Sequence, residues 1–168
     1  MGKFDARRFG TRRFRAAGLI LWLMAGGALA DCAPGSVELR SPSGVVVRFS
    51  VELADDEAER AVGLMNRERM ASSAGMLFAY ETPRHAWFWM KNTLIPLDMI
   101  FADAAGRVTH VHEGAVPLDE TAIDGGEGVS FVLEINGGLA KRLGLEPGAV
   151  MRSDVIDQSG AVWSCAGP

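Results

Sequence analysis

The segment Phe88-Trp89-Met90-Lys91-Asn92-Thr93-Leu94-Ile95-Pro96-Leu97-Asp98-Met99-Ile100-Phe101 gathers the residue types best suited to chemistry. Lys91, Asn92 and Thr93 fall between an aromatic run and an aliphatic one, which predicts a turn joining two strands. Pro96 fixes its own φ and pushes Ile95 towards an extended conformation. Asp98 sits inside an apolar run, where a carboxylate is costly unless it is paired or hydrogen-bonded. Lys91, Arg60 and Arg67 are its candidate partners. These residues read in two ways. They form a polar pocket for a small polar ligand, or they form a buried ion pair and a satisfied turn that hold the register of the fold.

Other residues extend the first reading. Trp87 and Trp89 are two apart and share a face of their strand, as in a sugar-stacking platform. Strand aromatics are more often core, and Phe88 and Met90 alternate with them, so the segment is expected to lie inside the domain. Glu134 is a second carboxylate in an apolar stretch. His110 and His112 flank Val111 with Glu113 following, a loose form of a metal motif that reads better as two exposed strand histidines. The chain has no Gly-rich phosphate loop, no Gly-x-Ser-x-Gly elbow and no Cys/His nucleophile pair. These gaps exclude the ordinary hydrolase and nucleotide-enzyme patterns, and neither a cofactor nor a metal is expected.

Short strands must position these groups. Val45 to Leu53 puts Val47, Phe49, Val51 and Leu53 on one face, and Leu97 to Ala102, Arg107 to His112 and Val129 to Ile135 read as further strands. Asp55 can cap a helix running to Leu64, and a second helix starts near Asn136 and ends at Gly144. Many strands with two short helices predict a mainly β domain, a single compact β-sandwich or barrel.

Lys3, Arg7, Arg8, Arg12, Arg13 and Arg15 precede an uncharged run from Ala16 to Leu29, which closes on Ala28-Leu29-Ala30. That is the plan of a secretory signal peptide. Its apolar run of about 14 residues falls short of the roughly 20 that a spanning helix needs. The expectation is cleavage after Ala30, Sec-type export to the bacterial periplasm, and one β-rich domain over 31–168 with no membrane span. Removing the leader moves the net charge from −4 to −9, leaving 11 basic and 20 acidic residues. Such a surface argues against nucleic acid as a partner. The two cysteines, Cys32 and Cys165, then form a natural disulfide in an oxidising compartment.

From about Glu59 to Val150 the chain resembles the domain of unknown function 192 family. The resemblance rests on ordered blocks: Glu59-Arg60-Ala61-Val62-Gly63-Leu64-Met65-Asn66-Arg67, then Gly75-Met76-Leu77-Phe78, then the long segment from Phe88 to Phe101, then Val132-Leu133-Glu134-Ile135 with its following glycines. It implies a β-rich domain of sandwich or jelly-roll type, often behind a signal peptide, and no established activity.

The reading that follows is an exported domain binding a small polar ligand or envelope component through Lys91, Asn92, Thr93 and Asp98, with Arg60, Arg67, Trp89 and Glu134 as neighbours. One alternative is a carboxylate enzyme acting on a saccharide through Asp98 or Glu134. The other is a structural or interaction module.

Overall fold

The computed structural model describes residues 32–166, so the leader and its cleavage point lie outside the described residues. Seven strands and two helices follow one another: β1 Ser36–Arg40, β2 Val46–Ala54, α1 Glu57–Val62, β3 Ala74–Phe88, β4 Leu97–Ala102, β5 Val108–Ala115, β6 Ile123–Asn136, α2 Leu139–Leu143 and β7 Val150–Arg152. They build one sheet in the order β5-β4-β6-β3-β2-β1-β7. It curls until Arg107, beside β5, bridges Val150 of β7, so its two edges meet at one point and the sheet is a half-barrel. The mainly β architecture with two short helices is therefore as the sequence indicates, formed as a curled sheet.

Every neighbouring pair is antiparallel except β2 and β3, which are parallel over Ser50–Ala54 and Ala74–Phe78. A parallel pair needs a crossover, and α1 with the segment after it supplies one. Asp56, one residue later than the sequence suggests, caps α1 by accepting from the Glu59 N–H at 2.7 Å.

Both faces of the central strands are buried. On β4, Ile100 and Ala102 join a cluster with Val37, Leu39, Leu133, Ile135 and Met151, while Leu97, Met99 and Phe101 point the other way, towards Leu64, Met76, Phe78 and Val132. This period-two alternation puts the two cores on opposite faces of one sheet.

The second core is covered largely by the sheet itself. The rings of Phe78 and Phe88 are 5.2 Å apart, although ten residues of straight strand span about 33 Å. β3 therefore folds back, at the register shifts between Ala79 and Arg84 opposite β6. On β6 the bend uses Gly126 and Gly128, both at left-handed φ. The folded ribbon turns Ala86, Phe88 and Met90 inwards and Trp87 and Trp89 outwards, the two tryptophans being 57% and 49% exposed. This corrects the expectation that the aromatic segment lies wholly inside: the ribbon packs one face on the core, and its other face meets water.

Cys32 and Cys165 are joined in a disulfide across 133 positions, fastening the first described residue to the C-terminal segment.

Candidate functional site

The two buried carboxylates have different surroundings. Asp98 on β4 is fully buried. Its Oδ1 accepts from the N–H groups of Gly114 (2.8 Å) and Gly138 (2.9 Å), and its Oδ2 from that of Ala140 (2.8 Å). Gly114 belongs to a bulge where two residues of β5 oppose Asp98 alone, and Gly138 and Ala140 form the start of α2. One side chain thus ties β4, β5 and α2 together through charge-assisted bonds to backbone. No Lys or Arg is its partner, and it points towards the first core, away from Lys91.

Glu134 sits on β6 between Met76 of β3 and Met99 of β4 and points to the second core with Val132. It is 4% exposed, and no described residue hydrogen-bonds to its carboxyl group. Burial without compensation pushes its pKa up to about 8.

Above Glu134 lies a pocket of about 100 Å³, walled by Arg60 to Met65, Phe78, Tyr80, Trp87, Phe88, Trp89 and Thr93. Arg60 stands 5.1 Å over the Tyr80 ring, and its Nη1 donates to the carbonyls of Asp55 and Ala79. Its Nε and Nη2 have no acceptor among the described residues. Arg84 lies 4.6 Å from the same ring, and Lys91 lies 5.1 Å over Trp89. Burial raises the Tyr80 phenol pKa, opposed by the charges of Arg84 and Arg60. Thr93 is buried and donates its hydroxyl to the Lys91 carbonyl at 3.3 Å.

The mouth of the pocket is built from three stitched loops. Asn66 N–H donates to the Asn92 carbonyl (2.8 Å), Leu118 N–H to that of Thr93 (3.1 Å), and Met90 N–H to that of Asp119 (2.8 Å). Asn66, Asn92 and Leu118 are the non-glycine residues with left-handed φ among those described, and all three lie here. Backbone strain of that kind collects where a site over-determines its geometry. Val62 of the pocket wall is exposed, as are Leu94 and Leu118, which adjoin the Thr93 turn. Trp87 is held against His85, whose ring stacks 4.7 Å away and bonds Asp124 (2.7 Å) and Glu127 (2.8 Å). Those bonds, Asp124 first, raise the His85 pKa.

Of the residues singled out from sequence, Arg60, Trp89, Thr93 and Glu134 come together in this pocket, and Lys91 and Asn92 form the turn at its rim. Asp98 lies on the opposite face of the sheet, and Arg67 is engaged with Glu52. Sequence reasoning missed Tyr80, the only tyrosine of the chain, and the Val116–Asp119 loop. A larger open groove of about 600 Å³ beside Asp55, Glu81, Ser130 and Asp157 offers exposed carboxylates, a buried serine hydroxyl without a partner among the described residues, and another side of Tyr80. His110 and His112 lie on β5, and among the described residues no group of three His, Cys, Asp or Glu is placed to hold a metal. No helix among them is long and apolar enough to cross a membrane.

Fold and pocket together define a small half-barrel β-domain with an aromatic-walled pocket over an unpaired buried carboxyl group. The chain belongs to the DUF192 family, described as "Uncharacterized ACR", whose model matches residues 39–153. A crystal structure from Sinorhizobium meliloti 1021, named as a conjectured transcription regulator, is 44% identical with a TM-score of 0.69, covering 73% of this chain and 95% of that one. A protein of unknown function from Novosphingobium aromaticivorans DSM 12444 is 44% identical with a TM-score of 0.67, covering 70% and 83%. No curated protein matches.

Proposed function

We propose that the protein is an exported domain that binds a small polar ligand in the pocket formed by Arg60, Tyr80, Phe88, Trp89, Thr93 and Glu134. The observation that carries this reading is Glu134. A buried carboxyl group with no hydrogen-bond partner destabilises a fold, and such a group at the base of a pocket is retained for what it binds. The strained rim and the two exposed tryptophans support it. Export is supported by the leader pattern and by the Cys32–Cys165 disulfide.

A paired-carboxylate reaction on a saccharide finds less support, because Asp98 and Glu134 point to opposite faces of the sheet. The regulatory role in the name of the Sinorhizobium protein is not carried over. The helices here span six and five residues and the chain is acidic, which suits neither a recognition helix nor phosphate contacts.

The test is a small-molecule screen read by amide and indole shifts of the purified protein, paired with cell fractionation. Hits should move Thr93 and the Trp89 indole, and the mature chain should begin at Asp31 in the envelope fraction. Hits that move only residues outside the pocket would sink the assignment of the site, and a cytosolic chain with its leader intact would sink export.

A further inference from the structure

The geometry points to a carboxylate as the ligand, its oxygens accepting from the Glu134 carboxyl O–H and the uncommitted N–H groups of Arg60 while its apolar body lies against Trp89. This rests on the pocket reading above and specifies its chemistry.

Three observations select an anion over a cation or a sugar. First, positive charge already stands at the pocket and disfavours a cation: Arg60 and Arg84 lie by Tyr80, and Lys91 lies by Trp89. Second, the pocket wall carries uncommitted donors. Arg60 uses Nη1 for the Asp55 and Ala79 carbonyls, and its Nε and Nη2 have no acceptor among the described residues, which leaves one side of the guanidinium for a bidentate carboxylate. Third, Glu134 is the sole acidic residue on the pocket wall, in a chain whose acids otherwise outnumber its bases. A neutral carboxyl group there has one O–H to donate into the pocket.

The size of the pocket sets the ligand's shape. About 100 Å³ admits a carboxylate group and a few carbons, and any larger body must lie outside. What lies outside is Trp89 at 49% exposure, with the exposed Leu94 and Leu118 adjoining the Thr93 turn. A monoacid with a flat or aliphatic body meets both conditions. A phosphate dianion would want more N–H donors than one guanidinium side and one O–H provide.

Tyr80 of β3 is the titratable group that feels the Glu134 charge, Arg60 of α1 shares the pocket wall with it, and β4 presents Met99. Loss of the Glu134 proton as pH rises removes the donor and sets a carboxylate against the ligand's own.

The test uses the purified, disulfide-bonded protein with benzoate, benzylamine, glucose and inorganic phosphate as probes, followed by calorimetry and by shifts of Thr93 and the Trp89 indole. Benzoate should bind at pH 6 and lose affinity about tenfold per pH unit above the Glu134 pKa. Glu134→Gln keeps a donor without a titrating proton, so it should retain benzoate binding within about threefold and abolish that pH dependence. Glu134→Leu and Arg60→Met should each weaken binding at least ~tenfold while the circular dichroism of the folded protein is kept. Benzylamine, glucose or phosphate binding at these residues in preference to benzoate would overturn the inference and leave the pocket reading standing. No shift at Thr93 or Trp89 with any probe would overturn both.

Discussion

Asp98 and Glu134 lie on adjacent strands, both buried and both flanked by apolar residues, yet Asp98 is fully hydrogen-bonded while the Glu134 carboxyl group opens on a pocket with no hydrogen-bond partner among the described residues. Asp98 faces the core where β5 bulges and α2 begins, and three backbone N–H groups converge on it. Glu134 faces the folded-back ribbon, where the loops bond to one another and leave it alone. The difference is one of topology rather than residue type. A carboxylate aimed at chain ends and bulges becomes a structural tie, whereas one aimed at a wall of aromatic rings becomes a stored cost that a ligand can relieve.

The largest expected effect breaks the satisfied side. Asp98→Asn keeps one acceptor oxygen but places an amide N–H₂ against the Ala140 or the Gly114 and Gly138 donors. Urea unfolding should show a loss of about 3–5 kcal/mol. A loss under about 1 kcal/mol would mean that α2 and the β5 bulge hold without it.

The unsatisfied side should respond in the opposite direction. Glu134→Leu should stabilise the protein by about 2–3 kcal/mol at pH 7, because it removes a carboxyl group that ionises freely only in the unfolded chain. The sign follows from the raised pKa. Between the ordinary 4.5 and about 8 the unfolded chain has lost this proton while the native state still holds it. Stability therefore falls as pH rises through that window, by up to about 1.4 kcal/mol per pH unit, and the gain in the leucine variant shrinks as pH falls towards 4.5. A leucine variant less stable than the parent at pH 7 would show that Glu134 has a native partner after all.

That asymmetry explains what the sequence discloses. β4 is legible residue for residue, because Pro96 precedes it and Asp103 ends a run that is apolar except for Asp98. The close of α2 is legible from Gly144. β1 and β7 are not: they are five and three residues long, and their pairing joins Glu38 to Arg152 across the whole chain. The fold-back of β3 and β6 is hidden for the same reason, since a bend set by bulges between distant strands leaves only scattered glycines in the sequence. Arg60, Trp89, Thr93 and Glu134 are recognisable as chemistry-bearing residues one by one. Asp98 within Leu-Asp-Met-Ile-Phe and Glu134 within Val-Leu-Glu-Ile look alike on paper, and only the long-range positions of Gly114, Gly138 and Tyr80 separate them.

The smallest predicted effect concerns how each side pays for its loops. Around Asp98 the left-handed positions are glycines, Gly114 and Gly138, which adopt φ of 67° and 80° without strain. Around the Glu134 pocket they are Asn66, Asn92 and Leu118. Asparagine tolerates that region, whereas a leucine at φ 63° with 60% of its surface exposed is strained and gains little burial in return. Leu118→Gly should therefore raise stability slightly, by up to about 1 kcal/mol, since relief of strain is partly offset by the freer unfolded chain. Benzoate affinity should fall at the same time, because the Leu118 N–H holds the carbonyl of Thr93 in the pocket wall and a freer loop holds it less firmly. A variant that loses more than about 1 kcal/mol would show that Leu118 packs to hold the loop, and the strain at the mouth would then belong to folding and not to binding.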